Sequence, residues 1–130
     1  MNQVSKNLLT LPLFIAIGLL IGWGAKYAWD WYQQPPALIE TDTSAHFYNV
    51  KEPVVIYTTH WCPYCKALKA HLIQRNIPFH DRDVESGDAS ITALYQSIGY
   101  PGIPKIVIAS KVINGFHQSI LDDELEKLSY

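Results

Sequence analysis

Cysteine is nearly absent from this sequence: Cys62 and Cys65 are the only two in 130 residues. With no second CxxC, the usual closed zinc site is missing. His60 and His71 could act as third and fourth ligands, but that set lacks a usual zinc spacing. A static staple is disfavoured too, because bridging so short a loop removes little entropy from the unfolded chain. Charge is also scarce. Ten basic residues against twelve acidic ones leave a net charge of −2. With no basic stripe, this argues against nucleic acid as a partner. Internal repeats and low-complexity tracts are absent.

Leu8 to Ala25 carries no charge and consists mostly of Leu, Ile, Ala, Gly, Phe and Trp. Its length is at the short end of what spans a bilayer core. Trp23, Tyr27, Trp29, Trp31 and Tyr32 then cluster where an interfacial aromatic belt would lie. A cleaved secretory signal usually has a shorter apolar core and an A-x-A-like site, and no such site follows here. A buried core helix is the other reading, but the rest of the chain makes a complete domain without it. We therefore expect an N-terminal flank over 1–7, a transmembrane anchor over 8–27, a linker over 28–50 and a folded domain over 51–130. Pro35-Pro36 and Thr41-Asp42-Thr43-Ser44 give the linker the character of a semi-rigid tether. Lys6 and the amino terminus flank one end of the apolar run, whereas Lys26 and Asp30 nearly cancel at the other. The positive-inside rule then favours a cytoplasmic N-terminus, with the domain outside the cytoplasm on the periplasmic side.

The two thiols stand three apart in Cys62-Pro63-Tyr64-Cys65, just after the apolar run Val54-Val55-Ile56-Tyr57-Thr58 and before the helical pattern Leu68, Leu72, Ile73. A dithiol at a strand-to-helix junction suits reversible disulfide chemistry. Cys62 falls at the helix N-terminus, where unpaired N–H groups and the macrodipole favour a thiolate. Pro63 at the first helical position lacks a donor that would be unpaired there anyway. Cys62 is expected to be exposed and to attack. Cys65, one turn further in, is expected to be shielded and to resolve the mixed disulfide.

Further elements follow from the pattern. Strands are expected over Val54–Thr58, Phe79–Val84, Lys105–Ala109 and Lys111–Ile113. Helices are expected over Cys62–Arg75, over Ser90–Ile98 with Ile91, Leu94, Tyr95 and Ile98 facing the core, and over a last segment carrying Leu121, Leu125 and Leu128. Ser119-Ile120-Leu121-Asp122 fits a capping box for that last helix. His46, His71, His80 and His117 read as ordinary residues, and Lys69 as a solvated surface charge.

Tyr57-Thr58-Thr59-His60-Trp61-Cys62-Pro63-Tyr64-Cys65-Lys66 resembles the active-site segment of glutaredoxins, whose hallmark is CPYC. The resemblance runs on through Asn76-Ile77-Pro78-Phe79, Asp83-Val84-Glu85, Gly102-Ile103-Pro104 and Asn114-Gly115-Phe116. It implies an α/β thioredoxin-like fold, with a four-stranded mixed sheet flanked by about three helices. It also implies that Pro104 is cis and that the backbone of Ile103 is free to pair with a bound peptide. Trp61, Tyr64, Gly115 and Phe116 are the further substrate-contacting positions that it suggests. The implied activity is thiol–disulfide exchange on a disulfide-containing protein or small thiol, with no resident cofactor or metal. Electrons would come from glutathione or a reductase.

The chain departs from glutathione-using members at two places. They carry a lysine where this sequence has Thr59, and acidic or polar residues where it has His117-Gln118. Asp122-Asp123 comes several residues late and better suits a helix N-terminus. Gly115-Phe116 is instead similar to the glutaredoxin-like hydrogen donors of ribonucleotide reductase. Two other function classes stay open at this point. One is a non-catalytic peptide-binding or scaffold module using the groove by Pro104. The other is a metal or iron–sulfur carrier, which the proline of CPYC disfavours.

Overall fold

Val54-Val55-Ile56-Tyr57-Thr58 is buried along its whole length and forms an interior strand of a mixed sheet. The computed structural model describes residues 2–130, with side chains from Thr10 onward. The strands are β1 (Leu38–Glu40), β2 (Val54–Thr58), β3 (Phe79–Asp83), β4 (Lys105–Ile108) and β5 (Lys111–Asn114). Their spatial order is β1-β5-β4-β2-β3. Strand β2 runs parallel to β3 and antiparallel to β4, and β5 is antiparallel to both β4 and β1. Helices α2 (Pro63–Gln74), α3 (Ala89–Ser97) and α4 (Gln118–Lys127) complete the domain.

The pleat sends alternate residues of β2 and β4 to opposite faces, and each face has its own core. Val54, Ile56, Ile106 and Ile108 pack with Leu68 and Leu72 of α2 and Leu121 and Leu125 of α4. Val55, Tyr57 and Val107 pack with Ile91, Leu94, Tyr95 and Ile98, and with Phe47 and Val50 from the segment before β2. The result is three layers, helices on both sides of one sheet.

Three expectations are corrected. The sheet has five strands, not four, because Leu38–Glu40 pairs with β5 in the register Leu38↔Ile113, Ile39↔Val112, Glu40↔Lys111. This strand comes from the stretch expected to be a tether. The same stretch folds into a 3-10 turn, Ser44–Phe47, whose His46 is buried against Tyr57, with Nδ1 2.7 Å from the hydroxyl. The compact unit accordingly begins at Pro35. Thirdly, the capping box is absent. Helix α4 starts at Gln118 with His117 as its cap and no side-chain cap hydrogen bond, which places Ser119 inside the helix.

The other compact unit ends at Gln34 and contains one long helix, α1 (Asn2–Tyr32), which continues past Tyr27 through Trp29, Trp31 and Tyr32. Its Thr10–Tyr32 stretch is long and apolar enough to cross a membrane, a test that an N-terminal signal sequence would also pass, and none of the apolar window is buried in the protein. Lys26 and Asp30 pair at 2.8 Å, so the only charges near this end neutralise each other.

Candidate redox site

Tyr57 of β2 stands opposite Lys105 of β4, and Lys105 stands opposite Asn114 of β5. The three segments that leave this end of the sheet are therefore neighbours by register: residues 59–65, 101–104 and 115–117. They carry all the site residues expected from the sequence.

Cys62 is the N-cap of α2, with Pro63 at the first helical position. Its Sγ accepts the backbone N–H of Cys65 at 3.2 Å, taking up one of the orphan donors of the helix start. Because the side chain turns back over the helix end, Cys62 is only 3% exposed, where an exposed thiol was expected. Cys65 is fully buried. Both are free thiols. Burial pushes the Cys65 thiol up to about 11, and its hydrogen bond with Cys62 acts in the same direction. The Thr59 backbone N–H and the charge of Lys69 oppose that rise.

Trp61 and Tyr64 are both exposed on the flanks of the motif. The Trp61 indole N–H donates to Glu85 at 3.0–3.1 Å, and His60 Nδ1 lies 3.8 Å from the same carboxylate. Trp61 is thus drawn to the loop after β3. The Ile103–Pro104 bond is cis, and Pro104 is buried. Gly115 has φ +84°, a left-handed conformation that favours glycine, and its N–H donates to the Pro104 carbonyl at 2.9 Å. Phe116 is half-buried; it packs on the core with its ring 5.9 Å from that of His71.

Thr59 is 3% exposed, and its hydroxyl has no hydrogen-bond partner among the described residues. The position where glutathione users carry a lysine therefore points inward here. Asp122 is likewise committed: it accepts from His71 and from Arg75 of α2. Among the described residues, no group of three or more His, Cys, Asp or Glu could hold a metal ion.

Several residues at or near this end were not legible in the sequence. Lys69, expected to be a solvated charge, pairs with Asp81 of β3, whose other oxygen accepts from Thr58 at 2.6 Å. Tyr57 receives Arg82 on its hydroxyl at 2.8 Å as well as His46. Lys105 is 1% exposed and directly follows Pro104. The only sequence signal for it was a charge heading an otherwise apolar strand.

A family model described as Glutaredoxin matches residues 54–113. The uncharacterised glutaredoxin-like 8.6 kDa protein of the rubredoxin operon of Clostridium pasteurianum is 32% identical over 74 residues. That alignment covers 57% of this chain and 99% of the relative. A glutaredoxin of Pseudomonas aeruginosa is 33% identical over 63 residues, which is 48% of this chain and 75% of the relative. The crystal structure of a glutaredoxin from Archaeoglobus fulgidus superposes with a TM-score of 0.53 at 19% identity, covering 61% of this chain and 91% of that one. The domain thus has the thioredoxin-like fold, and with two relatives above 30% identity matched over most of their length, the chain belongs to the glutaredoxin family.

Proposed function

We propose that the protein is a membrane-tethered thiol–disulfide oxidoreductase working through Cys62 and Cys65. The observation that carries this reading is the asymmetry of the two thiols. Cys62 caps a helix, and its Sγ accepts the backbone N–H of Cys65 at the helix start. Cys65 lies fully buried behind it, with its thiol raised. The Cys62 thiolate attacks one sulfur of a substrate disulfide. That bond breaks, one substrate thiolate leaves, and a mixed disulfide forms. Cys65 then loses its proton and attacks the Cys62 sulfur. The second substrate thiol is released, and the protein keeps the two-electron oxidised pair. Trp61, Tyr64 and the backbone of Ile103 beside Pro104 form the groove for the substrate, and Gly115-Phe116 its far wall.

A reductase or glutathione returns the electrons. Glutathione is the poorer of the two, because Thr59 faces inward and Asp122 is occupied by His71 and Arg75. Thr10–Tyr32 provides the tether. Lys6 and the amino terminus at one end, set against the paired Lys26 and Asp30 at the other, favour a cytoplasmic N-terminus and a catalytic domain on the periplasmic side.

Mass spectrometry after exposure to a small disulfide tests the assignment. Cys65→Ser should accumulate the mixed disulfide, and Cys62→Ser should not. Equal adducts on both variants would refute it.

A further inference from the structure

Four carbonyls make up the 101–104 loop, and three of them are held by the protein. The Lys105 ammonium donates to Pro101 at 3.2 Å. The Tyr95 hydroxyl, on α3, donates to Gly102 at 2.9 Å. The Gly115 N–H donates to Pro104 at 2.9 Å. Only Ile103 has no hydrogen-bond partner for its N–H and C=O among the described residues. The loop is fixed on both sides of the single residue whose backbone stays available.

Lys105 is an unusual clamp. Its amine is buried, and no carboxylate pairs with it among the described residues; its other partner is Asn114 Oδ1 at 2.6 Å. Buried lysines without a carboxylate are costly and rare. Asn114 is oriented in turn from outside the dithiol domain's expected bounds. Its Nδ2 donates to the Pro36 carbonyl at 2.6 Å, and its backbone N–H to Ala37 at 2.8 Å. An amide held through its nitrogen by Pro36 must present its oxygen to Lys105. A relay therefore runs from Pro36 through Asn114 and Lys105 to the Pro101 carbonyl.

We propose that Lys105 and Asn114 are positioning residues for the substrate-binding backbone at Ile103, and that Pro36 and Ala37 set their geometry. Substrate affinity in this protein then depends on a segment that lies before residues 54–113, the part matched by the family model. This inference rests on the reading of Ile103 as the peptide-pairing residue.

The test is single-turnover reduction of a disulfide-bonded reporter peptide by the pre-reduced full chain in detergent, with the rate followed against peptide concentration. Lys105→Met keeps the aliphatic stem and removes the donors. It should raise the half-saturating concentration about tenfold, leave the limiting rate within twofold and not lower the thermal midpoint. Lys105→Gln, which keeps a donor, should recover most of the affinity. Unchanged half-saturation in Lys105→Met would overturn the inference, as would a parallel loss of affinity, limiting rate and thermal midpoint, the pattern of a purely structural residue. The wild-type chain separates the two readings. No reduction by wild type overturns the redox reading and this inference with it, whereas normal reduction by both wild type and Lys105→Met overturns this inference alone.

Discussion

Asp122 on α4 accepts a hydrogen bond from His71 Nε2 on α2 at 2.7 Å, across 51 positions of sequence. Burial works against the Asp122 carboxylate, but hydrogen bonds from His71 and Arg75 outweigh it and hold its pKa below the ordinary 3.8. Glu124, two residues further along α4, behaves alike. The hydrogen bond from Lys127, helped by that from Lys111, holds it below 4.5 against burial. A carboxylate depressed in the folded state stabilises the fold above its unfolded pKa. That stabilisation is lost as pH falls through the folded value. The part of the thermal midpoint that these two carboxylates carry should therefore be flat above about pH 5 and fall below about pH 4.5. Glu124→Gln should flatten part of that acid slope. Scanning calorimetry over this range checks it, and a slope unchanged in the variant would count against Glu124.

Thr59 leads to a prediction of opposite sign for two substitutions. Its buried hydroxyl lacks a partner, so Thr59→Val removes an unpaid desolvation cost at nearly constant volume and should stabilise the domain by about 1 kcal/mol. Thr59→Lys, the change that would restore the glutathione users' residue, must bury or expel a charge. It should destabilise by several kcal/mol and leave glutathione turnover no better. Denaturant titration of both variants, beside a glutathione mixed-disulfide assay, decides the matter.

The raised pKa of Cys65 has a part that belongs to Cys62. Burial is the larger cause and stays when Cys62 is lost, while the hydrogen bond and the charge of Cys62 go. In Cys62→Ala, alkylation of Cys65 should titrate below about 11 but still above the ordinary 9.0. A pH profile of iodoacetamide labelling reads this directly. On the mechanism proposed above, the same release would follow when Cys62 enters a mixed disulfide and would ease the ionisation of Cys65 at that step. A midpoint still at about 11 would remove that explanation.

Truncation tests the limits of the domain. A chain starting at Pro35 should be soluble and unfold cooperatively. A chain starting at Lys51 loses strand β1, the Thr43 hydroxyl on the Ala109 carbonyl and the His46–Tyr57 contact. At roughly 1 kcal/mol for each net hydrogen bond, the loss is on the order of 2–4 kcal/mol. For a domain of this size that is a midpoint lower by about 10 °C or more. Equal midpoints would show that 35–50 adds nothing.

The full chain, by contrast, should stay in the membrane pellet through a high-salt wash, since apolar burial does not respond to screening as surface charge does. Release by salt, or a mature N-terminus after Gly24, would refute the anchor.

Local pattern announced most of the scaffold. The apolar runs at 54–58 and 105–108 and the spacing of Leu68 and Leu72 are short-range signals, and they became β2, β4 and α2 within a residue or two. The dithiol and the cis proline were legible through the family resemblance. What escaped was set by distant partners. Leu38–Glu40 is too short to show alternation and follows Pro35-Pro36; it becomes a strand only because β5 offers an unpaired edge. Asp122 looked like a helix-start acid, yet α4 begins earlier and turns it towards His71 and Arg75. The burial of Lys105 depends on Asn114, which nine positions of sequence do not reveal.

Strand β1 has one more effect. Without it, β5 would expose the backbone donors and acceptors of Lys111-Val112-Ile113-Asn114, whose β-branched centre is a ready template for another chain. Three residues of β1 occupy that rim, and the opposite rim, β3, is guarded by the charged run His80-Asp81-Arg82-Asp83. A molecule cut within 41–50 keeps the centre of its sheet but opens one side. Its characteristic failure would be clumping with its own copies at concentrations where the intact protein stays dispersed.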